Sequence, residues 1–491
     1  MGTVDFGRES DAGWDFAGPA DAVPLGAAII GYRDAGGAGV DLRVAGTAAI
    51  TVLIEFGDRG LIVDDAVGRR TLGGFVAGLP IEAMRVRGER AECIEVRLSP
   101  IQAYSLLGIS PTDLGRGVVA LEDLWGLRAR RLLATVHRAG MPGVFAEVRD
   151  DDQIWCGAAG VADVATGRPV KVEMRHRVGS ITKTFTAAAV LQLVDDGEIA
   201  LDTPIGHYLP RLVPGERGAA ITVRMLINHT SGLADYLPHA YPSLAAFPDL
   251  AKTTPASLDD SRFTRFHATE LIEMGVSAPA TGKPGGTPGV YSNTNYLLMC
   301  QLLESVTGTS AEKCITRNVI ERAGLRDTEL PAGPHINGPH SLHYEAWFGM
   351  IDPPRDYSVY DMSWVGPAAS LISTAADLNR FFGLLLAGEI ISRAALEQMQ
   401  HTVPVISFEG KTIDYGLGLH KMTVPGHGTY WGHDGSVWGG GAISMTSADG
   451  KRQMSIAVNL QRWNRLDSSG KPQSHPIDDA LRAFTQLALC G

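Results

Sequence analysis

Cysteine is scarce in this chain: Cys93, Cys156, Cys300, Cys314 and Cys490 are the only five in 491 residues. The number is odd and the spacing wide. There is no C-x-x-C and no Cys/His grouping at metal-ligand spacing, which argues against a disulfide framework and against a bound metal. Long apolar runs are also missing, since none approaches the ~18 residues that a membrane-crossing helix needs. Basic runs are missing as well. No stretch of five or more Lys and Arg occurs and the formal net charge is -11, which argues against nucleic-acid partners. The opening Met1-Gly2-Thr3-Val4-Asp5-Phe6-Gly7-Arg8-Glu9 is acidic where a secretory leader would be basic and then apolar. The expected setting is the cytoplasm, without membrane contact.

With 45% hydrophobic residues, the chain has ample material for large cores, and its length leads us to expect two or three domains. One stretch organises the rest. In Arg177-Val178-Gly179-Ser180-Ile181-Thr182-Lys183-Thr184-Phe185, followed by the apolar run 186–194, the pattern predicts a helix buried on most sides, with Ser180 as its cap. Lys183 falls one turn after Ser180, which puts its amine on the same face as the hydroxyl. A hydroxyl is a poor nucleophile at neutral pH, and a desolvated amine can lose its proton and serve as its base. Such an S-x-x-K pattern is weak alone. Ser310-Ala311-Glu312-Lys313 matches it too, and there a helix N-cap explains the serine.

Residues 1–125 read as a small β-rich domain, with strands at 50–56 and 93–98 and short helical pieces near 99–107 and 120–124. From Gly143 a hairpin is expected, 143–149 with 153–160, turning at 150–152. The run Asn228-His229-Thr230-Ser231-Gly232-Leu233 holds a histidine that we read as anchoring its loop by hydrogen bonds. Residues 236–288 are rich in Pro, Ala, Thr and Gly, and suit a helical insertion flanking a cleft. In Pro288-Gly289-Val290-Tyr291-Ser292-Asn293, Tyr291 and Asn293 are two apart, so in an extended segment both point the same way. A phenol and an amide facing one cleft can relay a proton and grip a carbonyl. A further helix follows Ser373-Thr374. Tyr430-Trp431-Gly432-His433-Asp434-Gly435-Ser436 precedes strands at 442–445 and 454–458, with glycines that let a substrate backbone approach the strand edge. An amphipathic helix over 477–489 closes the chain.

The three elements Ser180-x-x-Lys183, Tyr291-x-Asn293 and His433-x-Gly435, in that order, resemble the signature of the serine penicillin-recognising superfamily, which includes class C β-lactamases, D-alanyl-D-alanine carboxypeptidases, D-aminopeptidases and related esterases. Asn228 to Leu233, Tyr415-Gly416-Leu417-Gly418 and Ala375-Ala376-Asp377-Leu378 extend the resemblance over roughly residues 127–491. It implies an α+β fold: a five-stranded antiparallel sheet flanked by helices, plus an all-α subdomain at roughly 200–370, with the site between them. It also implies Ser180 as nucleophile, Lys183 as its base, Tyr291 as proton shuttle and Asn293 as a hold on the substrate amide. His433 takes the place of a usual lysine, and the backbone N–H groups of Ser180 and Ser436 form an oxyanion hole beside Gly435. No metal or organic cofactor is implied.

Asp434 departs from that pattern, where Thr or Ser is usual and helps to bind a substrate carboxylate. An aspartate opposes such a carboxylate by ~1 kcal/mol or more in a partly screened cleft and would welcome an ammonium. Penicillin and D-Ala-D-Ala substrates are therefore disfavoured. The expected activity is that of a serine hydrolase cleaving an ester or a D-amino-acid amide or peptide bond, on a small-molecule or peptide acyl substrate. Transacylation or peptide cyclisation through the same acyl-enzyme is the alternative, and a non-catalytic ligand sensor a third. Residues 1–125 also resemble the sensor or dimerisation domain of some AraC-family regulators, through residues 72–79, Arg97-Leu98-Ser99-Pro100 with Leu106-Leu107-Gly108, and residues 119–126. That resemblance implies a homodimer contact or a ligand-sensing role, and the DNA-reading helices that should follow are absent.

Overall fold

A computed structural model gives the fold and describes residues 6–11, 14–19, 27–35, 37, 39–44, 49–56, 60–79, 84–89, 91–107, 111–115 and 117–491. Gly108 of the Leu106-Leu107-Gly108 run lies outside them. The chain divides into two compact units, Met1–Arg131 and Leu132–Gly491, the division falling within the helix Leu124–Arg138.

The first unit is β-rich. A seven-stranded antiparallel sheet includes Ala28–Asp34, Glu92–Leu98, Ile50–Glu55 and Gly74–Ala77 as consecutive neighbours, and a four-stranded sheet runs Val40–Val44, Met84–Gly88, Leu61–Asp65, Gly68–Leu72. Period-two alternation decides what each face carries. Cys93 and Leu53 join Val40, Leu61, Met84 and Val86 in a core shared by both sheets, while Ile50, Val52 and Leu98 pack on the opposite side with Ala103 of the helix Pro100–Leu107.

The second unit is built on a ten-stranded sheet. Its central strands are Gln153–Asp163, Gly143–Asp150, Arg452–Val458, Gly441–Ser447 and Gly428–Ser436, all antiparallel neighbours. The expected hairpin is present, with Asp150 paired to Gln153. The sheet does not stop at five strands. His420–Val424, Thr412–Tyr415, Val403–Ile406 and Gly289–Val290 continue it beyond Gly428–Ser436, the last pairing in parallel. The span 200–370 is also not purely helical, because Gly289–Val290, Tyr344–Glu345 and Arg355–Asp356 are short strands. Such two-residue pairings leave no periodic trace in the sequence.

Two helix layers cover this sheet. On one face Asn379, from the helix Ala375–Ala387, donates to Glu147 Oε1 at 3.1 Å and accepts from Ser455 Oγ at 2.7 Å. On the other the helix Pro476–Cys490 brings the Phe484 ring to 6.1 Å from Trp155. The helix Thr182–Asp195 is buried along its whole run from Thr182 to Leu193, as its sequence predicts. All five cysteines are free thiols, and among the described residues no helix is long and apolar enough to cross a membrane.

Candidate active site

Ser180 is not the cap that its sequence suggests. It sits in a single 3-10 turn, Gly179–Ile181, ahead of the helix, whose N-cap position is Ile181 with no side-chain cap. Gly179 holds φ +56° there, a left-handed conformation that glycine alone adopts at little cost. The turn frees the Ser180 hydroxyl for another partner, and Lys183 Nζ lies 2.9 Å from it. At Ser310, by contrast, the side chain does accept from the Lys313 N–H, as a cap should.

Lys183 has no exposed surface. Its Nζ is also 2.8 Å from Asn293 Oδ1 and 3.2 Å from the Ala368 carbonyl. Burial pulls its pKa from the usual lysine range down to about 7, against the opposing pull of Asp235, Cys300 and Asp434. The neutral amine is thus within reach near neutral pH, and its ring neighbours are Tyr291 at 5.1 Å and Tyr296 at 5.4 Å.

Tyr291 follows the strand Gly289–Val290, Ser292 is extended, and Asn293 opens the helix Asn293–Thr307. Both side chains therefore reach the Ser180–Lys183 pair, as the two-residue spacing predicts. The Tyr291 hydroxyl faces Ser180 but makes no hydrogen bond in the described structure. Burial keeps its pKa well above that of free tyrosine. Its ring packs 4.1 Å from that of His229, whose Nδ1 accepts from the Ser292 N–H at 3.3 Å. His229 thus fixes the loop that carries Tyr291, in keeping with the anchoring role read from its sequence.

His433 and Asp434 fall on opposite faces of Gly428–Ser436. His433 pairs across strands with Ser444, and Asp434 with Ile443. The His433 ring is buried on the face that carries Ser444 and Ser455, the one covered by the helix Ala375–Ala387. Its Nδ1 contacts the Asp434 carbonyl, which can only accept, so Nδ1 carries the hydrogen and Nε2 accepts from the Tyr415 hydroxyl at 2.9 Å. Burial lowers its pKa to about 4, so at neutral pH it supplies no positive charge. The Asp434 side chain is 57% exposed and lies 3.6 Å from His420 Nδ1. Desolvation by the packed atoms around it would raise its pKa, but His420 and His433 outweigh that and hold it at about 2. With Glu409, Gly435 and Ser436 it lines a cavity of about 190 Å3.

Gly435 and Ser436 press against the Ser180 turn. A β-carbon on Gly179 would stand 2.5 Å from the Ser436 nitrogen. The structure thus brings Ser180, Lys183, Tyr291, Asn293 and His433 into one cluster and sets Gly435 and Ser436 beside it, with Asp434 at its outer edge.

One residue of the cluster escaped sequence reasoning. Asp235 accepts from the Asn293 N–H at 2.5 Å and from the Leu237 N–H at 2.8 Å. Burial pushes its pKa above the usual carboxylate range, and Lys183 acts on it in the opposite sense. Its signal was its place two residues after Asn228-His229-Thr230-Ser231-Gly232-Leu233. Among the described residues no group of His, Cys, Asp and Glu could hold a metal.

Residues 128–475 match the family model described as Beta-lactamase. A penicillin-binding protein of Bacillus subtilis is 25% identical over 316 residues, 62% of this chain and 64% of its own length. A D-aminopeptidase of Cereibacter sphaeroides is 27% identical over 333 residues, 68% of this chain and 59% of its own length. The chain spans less than two thirds of each of these relatives. Among solved structures, a D-stereospecific amidohydrolase from Streptomyces sp. is 31% identical, with 74% of this chain and 98% of that one covered at a TM-score of 0.62.

Proposed function

The chain belongs to the beta-lactamase family, and from that premise we propose that it is a serine hydrolase that forms an acyl-enzyme on Ser180 and cleaves an ester or a D-amino-acid amide. The observation that carries this reading is the environment of Lys183 Nζ. Two of its three neighbours, Asn293 Oδ1 and the Ala368 carbonyl, can only accept hydrogen bonds. A neutral amine gives its two hydrogens to them and keeps its lone pair for the Ser180 hydroxyl. That is the arrangement a general base requires.

On this reading Ser180 Oγ bonds to the acyl carbon as its proton passes to Lys183. The carbonyl electron pair moves to oxygen, and the N–H groups of Ser180 and Ser436 hold that charge. One such donor contributes ~3 kcal/mol. Collapse breaks the bond to the leaving amine or alkoxide, which takes a proton from Tyr291, and Tyr291 recovers one from Lys183. Water then repeats the sequence to free the acid. Asn293 holds the substrate amide while Asp235 fixes the backbone of Asn293 in turn. Neutral His433, donated to by Tyr415, is a polar prop rather than a charge.

The leaving group sits toward Asp434. A terminal carboxylate there meets a like charge, whereas an ammonium meets an opposite one, so amides and esters without that carboxylate are the substrates. The D preference is supported by the similarity to a D-stereospecific amidohydrolase and to a D-aminopeptidase. The chemistry is assigned to residues 127–491, in keeping with the family match that begins at residue 128. Five free thiols suit the reducing cytoplasm.

Intact mass after treatment with a fluorophosphonate, with Ser180→Ala as control, tests the nucleophile. Turnover of p-nitrophenyl acetate, and of D- and L-phenylalanine amide, tests the rest. A single adduct absent from the variant, with turnover favouring the D enantiomer, is expected. No adduct would remove Ser180 from the role, and equal turnover of the two enantiomers would remove the D preference.

A further inference from the structure

The first unit holds a space, open to solvent on the side of Leu42 and Arg97, that the acyl-transfer chemistry does not use. Between its two sheets lies a cavity of about 590 Å3. Protein interiors pack closely, with few voids larger than a water molecule, and this volume falls within the range of small-molecule sites. Its walls are mainly apolar, with Leu53, Phe75 and Ala77 from the seven-stranded sheet facing Leu42, Met84 and Val86 from the four-stranded one.

A charged network interrupts those walls. Glu95 and Arg97 share the face of Glu92–Leu98 that carries Cys93, and both line the cavity together with Tyr32, Glu95 mostly buried and Arg97 half-exposed at its mouth. Their partners in the neighbouring strand, Leu53 and Thr51, line it too. An apolar side chain at the Glu95 position would add to the core of the sandwich. A carboxylate there instead needs partners to offset its desolvation. Glu95 has two: the Tyr32 hydroxyl donates to Oε2, and Arg97 Nε donates to Oε1 at 2.5 Å. Glu95 is satisfied by this arrangement, and Arg97 is held by Nε alone. Among the described residues no hydrogen bond engages the Nη1 and Nη2 edge of Arg97, the planar fork that matches a carboxylate with two parallel bonds.

We propose that this cavity is a binding site for a small molecule with an apolar body and a single carboxylate, the body lying between the sheets and the carboxylate on the outer edge of the Arg97 guanidinium. Glu95 and Tyr32 are positioning residues, which fix the plane of that guanidinium. The site is separate from Ser180 and does not depend on the function proposed for it.

Calorimetric titration of the full chain tests the site, after the Ser180 hydroxyl has been blocked with a fluorophosphonate. Decanoate and 1-decanol are the probes, since they share an apolar body and differ in the head group. One saturable decanoate site per chain is expected. Arg97→Gln should weaken decanoate binding by about tenfold or more, the worth of a charge-assisted hydrogen bond, and leave 1-decanol unchanged. Ala77→Phe, which fills the cavity, should weaken both. The proposal is overturned if decanoate shows no saturable binding, or if Arg97→Gln leaves its affinity unaltered. Arg97 is half-exposed, so its variant keeps the test decisive even if circular dichroism shows that Ala77→Phe does not fold.

Discussion

Gly435 lies so close to Ser180 that a β-carbon on the glycine would stand 2.5 Å from the Ser180 nitrogen and 2.1 Å from the Val178 carbonyl. Only a residue without a side chain lets the strand end Gly428–Ser436 seat against the turn that presents the nucleophile. Gly435→Ala must push the two backbones apart, and the Ser180 and Ser436 N–H groups with them. Labelling by a fluorophosphonate should slow by about 10²-fold or more, with a stability loss of about 1–3 kcal/mol from overpacking. Wild-type labelling rates in the alanine variant would show that this approach does not set the site.

Lys183 sets the pH dependence of acylation. Its neutral form is the base and its pKa lies at about 7, so the labelling rate should rise with pH through that value and then level off. Lys183→Arg, which stays charged, should lose about 10²–10⁴-fold. A rate that is flat from pH 5.5 to 8.5 would take the base role away from Lys183.

Tyr291→Phe removes the hydroxyl that faces Ser180. Because the ring contacts with His229 and Phe408 persist, the melting temperature should hold. Turnover of a D-amino-acid amide, whose leaving amine needs a proton, should fall by about 10²-fold or more. A p-nitrophenyl ester leaves as a stable anion, so its acylation should fall less. Equal losses on both substrates would point to a structural role instead.

Asp434→Thr removes a charge from the cavity that Asp434 lines with Glu409 and Ser436, toward which the leaving group is proposed to sit. Turnover of D-Ala-D-Ala dipeptides relative to D-alanine amide should rise about fivefold or more, the equivalent of ~1 kcal/mol of relieved repulsion. Competition between the two substrates measures this ratio, and an unchanged ratio would place the substrate away from Asp434.

Four buried histidines make the fold sensitive to acid. Burial lowers the pKa of His176 to about 3 and that of His433 to about 4, and places those of His229 and His343 well below the ordinary value. As pH falls below about 6.5 the unfolded chain takes up protons that the folded one refuses, so stability drops by about 1.4 kcal/mol per pH unit for each such histidine. For His433 the loss ends near pH 4, where the folded form protonates as well. Urea midpoints at pH 7.5, 6 and 5 should fall steadily, and less steeply for His433→Asn. Equal midpoints across that range would mean these rings are charged in the folded state.

Much of this molecule was legible along the chain. Ser180 and Lys183, Tyr291 and Asn293, and the run His433 to Ser436 could be read because local geometry fixes what short spacings do: one helical turn aligns i with i+3, and an extended segment aligns i with i+2. The hairpin 143–160, the buried helix after Ser180 and the cap at Ser310 follow from the same periodicities. Other features depended on which segments meet. Whether Ser180 would cap its helix or face Lys183 was decided by the Gly179 turn, where the strand end at Gly435 and Ser436 leaves room for no side chain. Asp235 belongs to the site because its loop lies against the start of the helix at Asn293, a contact between residues 58 apart. The low pKa of Lys183, the neutrality of His433 and the cavity beside Arg97 are likewise products of packing. A residue's sequence neighbours fix its direction, but desolvation and void volume are set by distant residues, and those are placed only when the whole chain has folded.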